Sequence, residues 1–257
     1  MVSIRIEGLR VTLGKRTVLQ DVTTSFAPGT LTGIVGPNGA GKSTLARAML
    51  ALVPATGRVL VDDVEARSLP RAELAKRIAY LPQGQTLHWP LSVERLVGLG
   101  RLPHLGPMSR VAEGDAAAIE RAILRADVTA LRDRIATELS GGERARVLLA
   151  RALAVEAPGL ITDEPLASLD PGHQIDVMDL LQTEARAGAL VVAVLHDLTM
   201  AARYCDRLLL IDRGTVVADG PPAEVLTPAN LRAVYGIDAW VDVGGAWPSI
   251  TTLGRVR

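Results

Sequence analysis

Apolar and polar residues alternate over 3–13 and again over 16–26, with Gly14-Lys15 between the two runs. Period-two alternation broken by a glycine turn predicts two short strands joined as a hairpin. Residues 30–36, Thr-Leu-Thr-Gly-Ile-Val-Gly, predict a buried strand ending in glycine. From Lys42 to Leu52 the apolar positions recur at helical period. Val59–Val61 predicts a strand, 71–79 a helix, and Ile78–Leu81 a strand running into Pro82. The stretch 85–135 changes character: it holds Pro90, Pro103 and Pro107, then an alanine-rich helical pattern from Val111 to Ala126. It is expected to be a mostly helical insert. From 139 onward helices and strands alternate: helix 142–155, strand 159–163, helix 171–187, strand 190–195, helix 197–204 and strand 207–211. A last hairpin turns at Asp212-Arg213-Gly214 into Thr215–Ala218, and a short tail with Pro221-Pro222 and Pro228 follows. This alternation predicts an α/β fold with a mainly parallel sheet and helices on its faces.

Composition narrows the function classes. A chain of 257 residues can form one large domain or two lobes sharing a core. Its 28 basic and 28 acidic side chains leave a formal net charge of zero, without the basic excess of a nucleic-acid binder, so no nucleic-acid partner is expected. The one cysteine, Cys205, excludes an intrachain disulfide and a cysteine-based zinc cluster, and is expected as a small buried residue. The start, Met-Val-Ser-Ile-Arg-Ile-Glu, does not read as a signal peptide. No run approaches the roughly 20 apolar residues of a membrane helix. A soluble, cytoplasmic protein is expected, so any membrane process it serves needs a separate membrane partner.

Gly36-Pro37-Asn38-Gly39-Ala40-Gly41-Lys42-Ser43 matches the P-loop pattern, with an apolar strand before it and a helix after it. Glycines let the backbone curl so that successive N–H groups face an anion. The helix start adds its positive end. Lys42 supplies a full charge to the outer phosphates, Ser43 is placed to ligate Mg²⁺, and Thr44 follows them among the binding residues. Downstream, Leu160-Ile161-Thr162-Asp163-Glu164-Pro165 is an apolar strand ending in two carboxylates. Asp163 is expected to hold the Mg²⁺ shell, and Glu164 to accept a proton from the attacking water. His196, after an apolar strand, is suited to donate a hydrogen bond to a phosphate oxygen. Leu139-Ser140-Gly141-Gly142-Glu143 opens a strong helix and forms a second anion-binding helix end. One nucleotide does not need two such ends. The second is therefore expected to bind a phosphate held by another copy, with ATP between the subunits of a dimer.

These residues resemble, in order and spacing, the nucleotide-binding subunits of ABC transporters across nearly the whole chain. Residues 36–43 are similar to their Walker A motif, Gln83 in Tyr80-Leu81-Pro82-Gln83 to the Q-loop glutamine, and 139–143 to the ABC signature. Residues 160–164 resemble Walker B, Ala167-Ser168-Leu169-Asp170 the D-loop, and His196 the switch histidine. The resemblance implies a P-loop ATPase core over 1–84 and 136–257, carrying an N-terminal antiparallel β subdomain, and a helical subdomain over 85–135 that docks on a permease. It implies that Gln83 contacts Mg²⁺ or water, that His196 contacts the terminal phosphate, and that Ser140, Gly141 and Gly142 bind that phosphate from the other subunit. Asp170 would couple the two sites. The Tyr-Leu-Pro-Gln motif, the segment Gly100–Gly106 and the tail Gly220–Thr227 are similar to importers of iron-siderophores, haem and cobalamin. That group implies a homodimer on the cytoplasmic face of the inner membrane, permease subunits and an extracytoplasmic solute-binding protein.

Two positions depart from the family pattern. Leu13 stands where many members carry an adenine-stacking aromatic, and Glu143 stands where glutamine is usual. Leucine offers apolar contact without a π face. Glu143 adds negative charge near a helix start, which suits the dipole. Two other functions compete with transport. A soluble ABC ATPase of DNA repair or translation usually has long coiled-coil inserts or two cassettes, and this chain has neither. A P-loop kinase leaves the 139–143 helix start and Asp170 without a purpose. Within transport, import rests on the resemblance, and a different cargo stays open.

Overall fold

The structure is a computed structural model that describes residues 1–84, 87–106, 112–167, 169–245 and 247–256. Strands β1 (Ile4–Leu13) and β2 (Arg16–Phe26) pair antiparallel around Gly14, with Leu13 opposite Arg16. β4 (Thr56–Val61) pairs with the other edge of β1, and the short β5 (Val64–Glu65) completes a four-stranded sheet in the order β2-β1-β4-β5. The second sheet contains β3 (Thr30–Val35), β6 (Ile78–Leu81), β7 (Gly159–Asp163), β8 (Leu190–Val194), β9 (Arg207–Asp212) and β10 (Thr215–Gly220). Its order is β10-β9-β3-β8-β7-β6, parallel throughout except for the antiparallel edge strand β10. Strand order reverses next to β3, where open parallel sheets leave a crevice at their carboxyl ends.

The central strands are apolar at nearly every position because both faces are covered. Val191, Ala193, Leu208 and Leu210 pack on one side with α5 (Gly141–Leu153) and with two helices of the insert, α3 (Val93–Gly98) and α4 (Glu113–Arg125). Val192, Val194, Leu209 and Ile211 pack on the other with α1 (Lys42–Met49) and with Ile4, Ile6, Leu19 and Phe26 of the antiparallel sheet. The remaining helices are α2 (Arg71–Arg77), α6 (Pro171–Arg186) and α7 (Leu198–Tyr204). Cys205 is buried beside Gly33, where an added Cβ would stand 2.8 Å from its Sγ, and burial holds its thiol well above the ordinary range.

Several boundaries differ from the sequence expectation. Helix α2 stops at Arg77 instead of 79, because Ile78 and Ala79 are paired with Gly159 and Leu160 of β7. Helix α1 ends at Met49, three residues early, and Ala51 has φ 50°. The tail is not a short irregular end. Helices α8 (Pro222–Val225) and α9 (Pro228–Tyr235), the latter capped by Thr227, lead into a hairpin of β11 (Ile237–Asp242) and β12 (Ser249–Arg255). Ile237, Ala239, Val241 and Ile250 anchor this hairpin against the core. Residues 85, 107, 111 and 168, which belong to the expected insert and D-loop, lie outside the described residues. Among the described residues, no helix is long and apolar enough to cross a membrane.

Candidate functional site

The loop between β3 and α1 is shaped by where side chains cannot go. Gly36 has φ 150°, and a Cβ there would lie 2.0 Å from the Ile211 carbonyl oxygen on β9. Gly41 has φ 111°, and its Cβ would meet the Leu19 side chain at 2.7 Å and the Val18 carbonyl at 3.1 Å. Glycine is the residue that fits both constraints. The loop then delivers Lys42 to the first position of α1. Its side chain is buried, and Nζ donates to the Gly36 carbonyl at 2.7 Å and the Pro37 carbonyl at 3.1 Å. Burial holds the ammonium below the ordinary lysine range, and the nearby Glu164 and Asp163 carboxylates oppose that shift. Among the described residues Lys42 has no ion pair within 4 Å, so a buried cation and a curled run of amides together await an anion. A polyphosphate fits that cradle.

Beside it, the Ser43 hydroxyl donates to Asp163 Oδ1 at 2.8 Å, and the Tyr80 hydroxyl donates to Oδ2 at 3.3 Å. Asp163 ends β7 and is 1% exposed. Burial raises its carboxyl above the usual range, against the hydrogen bond from Ser43 and the charge of Arg47. A hydroxyl and a carboxylate are oxygen donors of the kind a hard divalent cation takes. The described residues contain no group of three or more His, Cys, Asp or Glu that would enclose a metal alone.

Glu164 has φ 54°, a left-handed conformation that costs a non-glycine residue about 1–3 kcal/mol and persists only where surroundings enforce it. Its N–H donates to the Val194 carbonyl at 3.2 Å. Its Oε2 accepts from Gln83 Nε2 at 2.6 Å, and its Oε1 lies 2.5 Å from His196 Nε2. Three residues far apart in sequence thus form one constellation. They face a cleft of about 760 Å³ together with Asn38, Gly39, Gly41, Lys42, Ser43 and Thr44. Gly36, Pro37 and Ala40 build the loop's frame without lining that cleft. Arg16 and Val18 line its remaining wall, and sequence reasoning missed both. Nothing in the sequence put β2 beside the loop. Leu13 is 43% exposed and does not line the cleft.

Ser140, Gly141, Gly142 and Asp170 are not brought to this cleft. Ser140 is the N-cap of α5: its Oγ accepts from the Glu143 N–H at 3.3 Å, and Glu143 Oε2 accepts from the Ser140 N–H at 2.8 Å. This reciprocal capping box satisfies two helix-start donors. Arg134 holds the other Glu143 oxygen at 2.9 Å. The Ser140 N–H, more than any other neighbour, keeps Glu143 below the usual carboxyl range. Ser140 and Gly141 are exposed and Gly142 is half-buried, with His173 Nδ1 3.4 Å from where its Cβ would be. Asp170 caps α6, accepting from the His173 N–H at 3.0 Å and lying 2.7 Å from His173 Nδ1.

Comparison with known proteins agrees with this geometry. The family model described as ABC transporter matches residues 19–167. A hemin import ATP-binding protein of Pseudomonas entomophila is 45% identical over 242 residues, covering 92% of this chain and 93% of that protein. A cobalamin import ATP-binding protein of Halobacterium salinarum is 46% identical over 247 residues, 94% of this chain but 60% of that longer protein. Among solved structures, a chain of a metal-chelate type ABC transporter in an inward-facing conformation superposes with a TM-score of 0.85 at 24% identity, over 100% of this chain and 99% of that one. The P-loop, the carboxylate pair and a match spanning more than nine-tenths of the chain lead to one conclusion: the protein belongs to the ABC transporter family, as one of its ATP-hydrolysing, nucleotide-binding subunits.

Proposed function

We propose that this chain powers uptake of an iron-siderophore, haem or cobalamin-type metal chelate through a separate membrane permease. It works as a homodimer, peripheral on the cytoplasmic face of the inner membrane, with permease subunits and an extracytoplasmic solute-binding protein in the complex. The core comprises 1–84 and 136–257, and the insert 85–135 is the permease-docking lobe. An apolar groove of about 360 Å³, lined by Leu50, Leu52, Leu74, Ile78, Tyr80 and Pro103, supports a docking face where core and insert meet. The hemin and cobalamin import relatives support the cargo class.

One observation carries the dimeric mechanism. At the capped helix start Ser140 and Gly141 are exposed and line no part of the cleft that holds the phosphate loop; Gly141 instead lines a neighbouring cavity of about 290 Å³ that also borders Asp163 and Glu164. A second copy brings that helix start to the terminal phosphate, with its amides and Ser140 donating to the oxygens. Within one subunit, the 36–44 backbone and Lys42 hold the triphosphate. Ser43, Asp163 and Gln83 would hold Mg²⁺, which would supply charge neutralisation on the phosphate oxygens. Glu164 accepts a proton as water attacks the terminal phosphorus, releasing ADP and phosphate. In the present arrangement both Glu164 oxygens are engaged, by Gln83 and by His196. A terminal phosphate that takes the His196 N–H frees one of those oxygens for the proton. Asp170 lies beside the signature helix, through His173, and couples the two sites. ATP favours the closed pair, and hydrolysis removes that preference.

The test is reconstitution with the cognate permease in liposomes. ATP-dependent accumulation of haem, a ferric siderophore or cobalamin is expected, with hydrolysis stimulated by the loaded binding protein. Stimulated hydrolysis with none of the three accumulated would overturn the cargo. Hydrolysis indifferent to the permease would overturn the transport role.

A further inference from the structure

The nucleotide cleft has a defined polarity. Glu164, His196 and Gln83 mark the end where the terminal phosphate reacts, and Lys42 and Ser43 fix the phosphates beside it. The nucleoside must then extend along the remaining wall, which Val18 and Arg16 supply. β2 passes directly behind the phosphate loop at Val18, whose carbonyl lies 3.1 Å from a Cβ built on Gly41. Arg16 is two residues nearer the hairpin tip, beyond the slip in β1–β2 register that leaves Val18 as the extra residue, and it lines the cleft together with Val18. Its side chain is exposed, and among the described residues it has no hydrogen-bond or ion-pair partner. Leu13, its cross-strand neighbour, offers no flat face and does not line the cleft.

We propose that Arg16 is the base-binding residue of this cleft, its planar guanidinium stacking on the purine while Val18 packs against the sugar side. The inference rests on the nucleotide reading above. An arginine plane is weakly hydrated and stacks on aromatic faces, whereas an ammonium is a hydrated point charge. The base is held by its face, and ATP and GTP share that face.

Arginine and lysine separate stacking from charge, so the test uses Arg16→Lys beside the unmodified protein. Binding of ATP, GTP and inorganic tripolyphosphate is titrated by calorimetry at one ionic strength. The lysine variant, which keeps the charge and loses the plane, is expected to bind both nucleotides roughly two- to tenfold more weakly, part of the range of a cation–π contact, with tripolyphosphate affinity unchanged. Retained tripolyphosphate binding also shows that the variant is folded. Unchanged nucleotide affinity overturns the assignment, and an equal loss for all three ligands overturns it in favour of a phosphate contact. If the unmodified protein binds neither ATP nor tripolyphosphate, the nucleotide reading of the cleft fails, and this inference fails with it.

Discussion

Replacing Lys42 with alanine separates binding from folding. The buried ammonium meets two neutral carbonyls, and its depressed pKa means that charging it costs stability in the free protein. Lys42→Ala removes that cost together with two hydrogen bonds, so the ligand-free melting temperature should change little. ATP binding responds differently. A hydrogen bond to a charged group contributes about 1.5–3 kcal/mol, so losing the lysine should weaken ATP binding about a hundredfold. With ATP at a hundred times the original Kd, the unmodified protein gains about 2.7 kcal/mol, or about 5–10 °C in a domain of this size. At that same concentration the variant gains about 0.4 kcal/mol, or about 1 °C. Thermal melts with and without ATP, checked by calorimetric titration, read both quantities. An ATP-induced shift as large as that of the unmodified protein would remove Lys42 from the phosphate site.

Glu164→Gln should lower turnover by about a hundredfold or more while ATP still binds, trapping a dimer visible by gel filtration; a monomer with normal hydrolysis would count against the assigned base. Ser140→Arg should leave ATP affinity of the monomer intact and abolish hydrolysis, and full activity would sink the role of the signature segment across the interface. Gly36→Ala forces a Cβ to 2.0 Å from the Ile211 carbonyl and should destabilise by about 1–3 kcal/mol, lowering the melting temperature by several degrees. The Glu143 cap should be sensitive to acid. Its folded pKa lies below the ordinary 4.5, so its stabilisation is complete above that pH and is lost as pH falls through the folded value. The stability gap between the unmodified protein and Glu143→Ala should therefore narrow in acid; a gap that widens would refute the capping role.

Much of the architecture follows from local pattern. Period-two alternation around Gly14, the apolar run before Gly36 and the helix–strand rhythm after 139 each depend on a residue's own neighbours. The first hairpin and the parallel sheet were therefore legible. Boundaries failed where a distant strand decided them: Ile78 and Ala79 belong to β6 because β7 is beside them. The C-terminal hairpin was missed because part of its anchoring is remote, and its exposed Trp240 and Leu253 blur the alternation.

The site divides in the same way. The chain alone specifies the phosphate loop, since its glycines, Lys42 and Ser43 are contiguous and their chemistry is local. It also names Asp163, Glu164 and His196 as types suited to the reaction, whereas Gln83 is pointed to by the family resemblance. Only the tertiary structure joins Gln83, Glu164 and His196 at hydrogen-bond distance, because three strand ends of one sheet converge there. It likewise brings Arg16 to the cleft. Those placements depend on sheet order and hairpin docking. Both are set by which apolar faces bury each other across long sequence separations, and no local pattern records that choice.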